Sequence, residues 1–437
     1  MQRFASKRSC KEVTMNICEL EKQLNDPSLS ARQEALTALV NAEKAGEIPA
    51  ATIGADVNNH IHTWYSFSPY SPTAAVWFAH RAGLSTAGIM DHDSVAGIRE
   101  FHEAGRIVGM ATTGGMECRV YVGDTAIRGR RVNNPDQNDI AYIAFHGLPV
   151  ASLPAVEAFI APRREMRCER NRKMCARISE KYAPYGISLD FDRDVYPVSK
   201  AAEGGSVTER HILWALSLKL IEKFGRGEGL IRFLREELGL SVSAKNEGWL
   251  LDVESDKYVY DLLGVLKSDT SFFYLPADAE CAPIAEAVAV CEAAGGICAY
   301  AYLGDVGDSV TGDKRAQKFE DEYLDTLFDV LKATGFRAVT YMPSRNTPAQ
   351  LERIREKCRA EGFFQISGED INSPRQSFVC VAARAPEFDN LKESTWALIG
   401  HEMRTLKDPE DGFFGAAAIS EYPDLETRTA AFAARAR

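Results

Sequence analysis

Apolar positions along this chain keep two different rhythms. Between residues 15 and 45 they recur at helical spacing. Met15 to Leu24 forms one short run, Asp26-Pro27-Ser28 interrupts it, and Ser30 to Ala45 places Ala35, Leu36, Leu39 and Val40 on one face. That pattern predicts a helical hairpin packed on the main body. From Asp56 short apolar strands alternate with helices. Strands are predicted over 57–63, 86–90, within 110–122 and over 140–146, with helices over 71–82 and 95–105 between them. Pro72 sits near the first turn of its helix, where a missing N–H does no harm, and Gly83 and Gly105 close the two helices.

The alternation fails between about Pro149 and Pro276. Helical patterns cover 163–182, 208–224, 229–238 and 258–266, and the first of them is heavily basic, which reads as a solvated face. Gly225-Arg226-Gly227-Glu228-Gly229 reads as a helix break, because no strand precedes it as a phosphate loop requires. The strand–helix alternation then returns, with helices over 284–294, 318–334, 347–361 and 391–404 and strands over 297–302, 338–342, 363–367 and 378–382, followed by a polar tail. No internal repeat is visible. The expectation is an α/β fold with a largely parallel sheet or barrel, interrupted by a mostly helical insertion. In domain terms this gives an N-terminal helical segment (1–50), a barrel from 51–148 and 277–385, an insertion (149–276), and a C-terminal helix and tail (386–437).

Composition narrows the class. The 437 residues are 45% hydrophobic and 26% charged, which suits a globular enzyme. A net charge of −11 argues against a broad nucleic-acid surface. No apolar run approaches the ~20 residues of a membrane span, and the basic N-terminus has no apolar core behind it as a secretory signal would. Ten cysteines without a Cys-x-x-Cys pair read as reduced thiols, so the expected compartment is the cytoplasm.

Candidate chemistry starts at Asn59-His60-Ile61-His62-Thr63. A His-x-His on an extended segment turns both imidazoles to one face, since side-chain direction repeats every two residues. Met90-Asp91-His92-Asp93-Ser94, Gly115-Met116-Glu117 and Phe145-His146 bring further potential ligands at or near predicted strand ends. Chemistry gathers at the C-terminal strand ends of such folds. Asp93 and Ser94 also suit a helix N-cap. His80, His102 and His401 lie on predicted helices and receive no function.

In order and spacing these segments, with Ser71-Pro72, Gly83-Leu84 and Val95-Ala96-Gly97, resemble the polymerase-and-histidinol-phosphatase (PHP) superfamily. The resemblance covers roughly residues 56–150 and 280–383. It implies a distorted (β/α)7 barrel, TIM-barrel-like, that binds up to three divalent metals and is usually a phosphoesterase. The insertion resembles the middle domain of one branch of small phosphoesterases through Arg167 to Arg172, Glu209-Arg210-His211-Ile212 and Ala215-Leu216. Three expected ligands are replaced, by Phe67, by Tyr302 in Ala301-Tyr302-Leu303, and by Asn372 in Gly368-Glu369-Asp370-Ile371-Asn372.

What the resemblance leaves is His60, His62, Glu117 and Asp370 for one metal, Glu117 and His146 for part of a second, and His92 from a third. Two imidazoles and two carboxylates suffice for a transition-metal site with an open position, suited to Mn, Zn or Fe; one to two ions are expected. Asp91 and His92 are the expected catalytic pair. Arg210, His211, Arg345 and Arg375 are the candidate phosphate contacts, with surface or structural roles as the alternative. Tyr302 and Asn372 carry oxygen and are open as replacement ligands. The function expected is hydrolysis of a small phosphate ester, a nucleotide or sugar phosphate, by metal-bound hydroxide, with no membrane partner. The alternative is a degenerate relative that binds or regulates, or does other metal chemistry.

Overall fold

The computed structural model describes residues 10–307, 317–406 and 408–437, so residues 1–9 of the expected N-terminal segment lie outside it. Helices α1 (Cys10–Gln23) and α2 (Leu29–Lys44) form the expected hairpin. Ser28 caps α2 by accepting from the Ala31 N–H, and Ala35, Leu36, Leu39 and Val40 are all buried. A bidentate ion pair, Arg32 with Glu100 (2.5 and 2.8 Å), ties the hairpin to the body. Glu100 also accepts from the Thr73 hydroxyl at 2.7 Å, so this buried charge is fully engaged.

Next come β1 (Val57–Ile61), α3 (Pro72–Arg81), β2 (Thr86–Ile89), β3 (Asp91–His92), α4 (Ile98–Val108), β4 (Ala111–Thr113), β5 (Gly115–Tyr121) and β6 (Ile140–His146). Five helices follow: α5 (Leu153–Tyr182), α6 (Glu209–Phe224), α7 (Glu228–Arg232), α8 (Ala244–Leu251) and α9 (Tyr258–Leu266). The strand–helix order resumes with β7 (Ala282–Pro283), α10 (Ile284–Ala293), β8 (Ile297–Ala301), α11 (Leu324–Ala333), β9 (Ala338–Thr340), α12 (Pro348–Glu361) and β10 (Phe364–Ile366). Helices α13 (Asp389–Thr405), α14 (Ala416–Glu421) and α15 (Leu425–Ala436) end the chain.

The strands form a three-stranded sheet, β1-β2-β4, and a seven-stranded sheet, β10-β9-β8-β6-β5-β3, with β7 paired to β5. A parallel bridge between Ile61 and Ile371 links β1 to the chain just after β10. Every strand pairing is parallel except those of β6, which runs antiparallel to both β5 and β8. The reason lies in the β5–β6 connection. Residues 122–139 contain no α-helix, and a parallel return needs a crossover that a helix usually supplies. The fold is thus mixed α/β with a mostly parallel sheet.

Three sequence expectations are corrected. Residues 378–382 form no strand: the chain bends there and enters a 3-10 turn over Val381–Arg384. The expected polar tail is instead a packed layer, in which Phe413, Ala418, Phe432 and Ala433 cover Ile297, Ala299, Ala338, Phe364 and Ile366 of β8–β10. The basic helix begins at Leu153, accommodates Pro162, and buries Arg167 and Arg170 rather than presenting only a solvated face. The glycine cluster is the helix break expected, with Gly225 and Gly227 at φ 73° and 87° between α6 and α7. Helices α5 to α9 share their own hydrophobic core, into which, among the described buried residues, Phe67 is inserted from outside the insertion.

Candidate metal centre

β1 extends almost to His62, and its neighbours fix where both imidazoles lie. His62 N–H donates to Ile371 O (2.9 Å) and Ile371 N–H to His60 O (3.1 Å), which lays residues 369–371 alongside the histidines. Asn58 holds the same segment, its Nδ2 donating to Glu369 O (3.0 Å) and its Oδ1 accepting from Glu369 N–H (2.9 Å). Gly368 permits the approach, because a Cβ there would lie 2.6 Å from both the backbone nitrogen and the Cβ of His60. Asp370 therefore arrives beside His62.

The Nε2 atoms of His60 and His62 are 3.2 Å apart. Asp370 Oδ1 lies 3.2 Å from His62 Nε2, and Glu117 Oε2 lies 3.7 Å from His60 Nε2. Ligand atoms of His60, His62 and Glu117 all lie within 4.8 Å of one another, and the three residues are buried. Two donors on a tetrahedral ion with bonds of about 2.0–2.2 Å stand about 3.3–3.6 Å apart. His60, His62 and Glu117 fit a small divalent ion both in chemistry and in spacing, and Asp370 stands beside them against His62.

The environment prepares these groups. Ser66 Oγ donates to Asp91 Oδ1 (2.6 Å), so at 3.2 Å it is left to accept from His62 Nδ1–H, and Nε2 of His62 carries the lone pair. Glu117 resists burial because the charges of His92, His60 and His62 outweigh it, and its carboxyl is held down at about 2. Asp370 is likewise held well below the usual carboxylate range, burial being overcome by His62, His60 and Arg210. For His60, burial opposes charge, but Glu117 and Asp370 raise its pKa above the ordinary value. Burial depresses His92 to about 3, with His62 and Arg210 acting in the same direction.

Not every expected site residue joins the cluster. Asp91 is fully buried and spends both oxygens on Thr63 N–H, the Thr63 hydroxyl and the Ser66 hydroxyl, all at 2.6 Å, so it positions neighbours rather than reacting. His92 does join, with Nδ1 3.1 Å from Glu117 Oε2 and its ring 4.6 Å from that of His62. His146 is buried, with Nε2 lacking a hydrogen-bond partner, and is depressed to about 3 by burial and by His60. It stands outside the group of converging ligand atoms. Because β6 is antiparallel, its C-terminal end pairs with Gly115 and Ile297 at the beginnings of β5 and β8, which is a different position from the one a parallel strand would give.

Among the phosphate candidates, half-buried Arg210 is close enough for its charge to depress both His92 and Asp370. His211 is instead a capping residue: its Nδ1 accepts from Thr208 N–H (3.0 Å) at the start of α6. Arg375 is engaged by Asp261 (2.5 and 2.8 Å) and lies over the Trp249 ring, which ties it to the insertion. Arg345 sits half-buried in the turn after β9, its N–H donating to Met342 O at 3.0 Å.

The replacements are not substitute ligands of the same cluster. The Tyr302 hydroxyl donates to Asp321 Oδ1 at 2.6 Å, and Asn372 Nδ2 donates to Asp370 Oδ1 at 2.5 Å. Phe67, at φ 98°, turns its ring against His211, Trp214 and Tyr260. The residues that sequence reasoning missed are Ser66 and the Asn58 clamp. Their partners lie too far along the chain for spacing to indicate them.

No family model and no curated protein matches this sequence. Among solved structures, one provisionally described as a metal-dependent phosphoesterase, from Bifidobacterium adolescentis, is similar at 20% identity and a TM-score of 0.49, covering 77% of this chain and 95% of that one. An amidohydrolase from Chromobacterium violaceum, with bound sulfate and no metal, is similar at 18% identity and a TM-score of 0.49, covering 74% and 90%. Neither likeness assigns a function. Among the described residues no helix is long and apolar enough to cross a membrane.

Proposed function

We propose that this chain is a metal-dependent hydrolase of a small phosphate ester, of PHP type, holding one divalent ion with His60, His62, Glu117 and Asp370. The observation that carries this reading is the convergence of His60, His62 and Glu117, with Asp370 at 3.2 Å from His62 Nε2. A distorted (β/α)7 barrel built from the two sheets, with residues 149–276 inserted and segments 1–50 and 386–437 packed outside, is the domain plan that goes with it. A single ion is favoured because Tyr302 is committed to Asp321 and Phe67 to the insertion core.

An ion bound there supplies Lewis acidity toward a phosphoryl oxygen and toward water. The chain supplies the rest. Ser66 and Asp91 keep His62 in the tautomer whose Nε2 can ligate. His92, with Nδ1 3.1 Å from Glu117 Oε2, stands beside a carboxylate that would hold the ion, where its imidazole can assist proton transfer. Arg210 places a positive charge at the rim, where the non-bridging oxygens of a phosphoryl group would need it.

The test is metal content by elemental analysis and cobalt titration, together with turnover of p-nitrophenyl phosphate and a panel of nucleotide and sugar phosphates. About one ion per chain is expected. His60→Ala should lose both the ion and turnover. Absence of any bound ion would sink the metal reading. An ion without turnover would favour the second reading, a binding or regulatory module, which the closed positions of Tyr302 and Phe67 support.

A further inference from the structure

Six charged side chains lie under the candidate centre, where the insertion meets the sheet. Arg119 comes from β5, Arg167 and Arg170 from α5, Glu209 from the start of α6, Glu280 from the turn before β7, and Asp93 from the turn after His92. Three positive and three negative groups balance. Glu280 accepts from Arg119 Nη2 (2.6 Å), Arg167 Nε (2.9 Å) and Arg170 Nε (2.8 Å). Glu209 accepts from Arg170 Nη2 at 2.6 Å and Arg119 Nη1 at 3.2 Å. Arg167 Nη1 donates to Asp93 Oδ2 at 2.6 Å and to Ser206 Oγ at 2.9 Å.

Two of these groups are chain neighbours of site residues. Asp93 follows His92, and Glu209 precedes Arg210. Asp93 is held in the left-handed region, at φ 47°, with its N–H bonded to Glu117 O (2.8 Å) and its own carbonyl accepting from Arg164 (3.2 Å). A non-glycine residue keeps such a backbone only when its surroundings impose it. The adjoining turn is clasped as well: Ser94 Oγ donates to Gly204 O (2.8 Å), and Ser206 N–H donates to Tyr65 O (2.7 Å).

We infer that Arg167 is a positioning residue of the centre. Through Asp93 it fixes the turn that aims His92 at Glu117, and through Glu280 it shares a network with the Glu209 that roots Arg210. The inference rests on the proposed metal centre and makes the insertion part of the site rather than an appendage.

The experiment compares cobalt affinity, the visible spectrum of the cobalt protein, and kcat and KM for p-nitrophenyl phosphate. The proteins are the wild type, Asp93→Gly, Asp93→Asn and Arg167→Met. Glycine accepts the left-handed backbone but lacks the tether, so Asp93→Gly should fold. Loss of an orienting partner typically costs about 10–100-fold in metal affinity or activity. A fall of that size is expected for Asp93→Gly, with an altered cobalt spectrum and little change in KM. Asp93→Asn keeps an acceptor for Arg167 and the tolerance of this backbone, so it should recover most of the loss. If Asp93→Gly matches the wild type in cobalt spectrum and kcat, the inference falls, whether or not Arg167→Met folds. A wild type that takes up no cobalt overturns the metal centre and this inference together; wild-type uptake with an unaffected Asp93→Gly overturns the inference alone.

Discussion

His62 and His146 are both buried imidazoles, yet their surroundings differ. His62 has one nitrogen engaged by Ser66, which is itself anchored on Asp91, so the opposite nitrogen points at Asp370 with its lone pair in place. His146 has an Nε2 with no partner and lies outside the converging group. The Ser66 hydroxyl therefore sets ligand quality while touching no ligand position. Ser66→Ala is expected to weaken metal binding by about 10–100-fold; it removes the bond that orients His62 and one donor to Asp91, whose two bonds from Thr63 remain to keep the fold intact. Isothermal titration with cobalt would show it, and unchanged affinity would mean that packing alone orients His62. The candidate ligands His60 and His62 were legible in the sequence as neighbours, since period-two spacing puts them on one face. Ser66 and the committed state of Asp91 were not. Hydrogen bonds across 25 and 28 residues depend on two turns meeting, which no local pattern encodes.

At the scale of elements, the sequence rhythm located most strands and helices and failed where tertiary context decides. β6 has an ordinary strand pattern, and only the helix-free 122–139 connection makes it antiparallel. The C-terminal helices looked polar in bulk, yet a few aromatic and alanine positions let them cover β8–β10. Helix α13 also carries a buried carboxyl that no pattern announced. Glu402 accepts from the Thr113 hydroxyl and from Gly114 N–H, and faces His102 Nε2 at 3.5 Å. Burial pushes its pKa up to about 8 from 4.5, while burial lowers His102 to about 4, so both are neutral near pH 7. Between 4.5 and 8 the folded chain holds a proton at Glu402 that the unfolded chain has lost. Its stabilising contribution is complete below 4.5 and disappears as pH rises through 8. The slope from this one group is at most about 1.4 kcal/mol per pH unit. Glu402→Gln should flatten that part of the profile and raise the melting temperature at pH 8.5 relative to the wild type. Parallel profiles for the two proteins from pH 5 to 8.5 would show that water reaches the carboxylate.

On the scale of the whole molecule, two hydrophobic cores are joined through charge as well as apolar contact. One lies under the sheets with the N-terminal helices, the other inside the insertion, and Phe67, from the segment after β1, is the ring that crosses into the latter. Between the insertion and the sheet also lies the largely buried set Arg119, Arg167, Arg170, Asp93, Glu209 and Glu280. Intact, such a set contributes little net stability, because desolvation offsets much of the attraction; broken, it leaves buried charge uncompensated at about 3–5 kcal/mol. The asymmetry predicts that the joint tolerates one docking geometry of the insertion and penalises others. Glu280 is the member bonded to all three arginines, so Glu280→Gln is the sharpest single break. In the wild type, denaturant unfolding should be one transition, with amide exchange in α9 and in β8 reporting the same opening free energy. Glu280→Gln should lower that free energy by about 3 kcal/mol or more and separate the two regions, α9 exchanging first. The insertion loses its anchor while β8 keeps its pairing with β6 and β9. If both regions still exchange together and the midpoint hardly moves, the apolar contact around Phe67 holds the insertion unaided, and the charges are passengers at the joint.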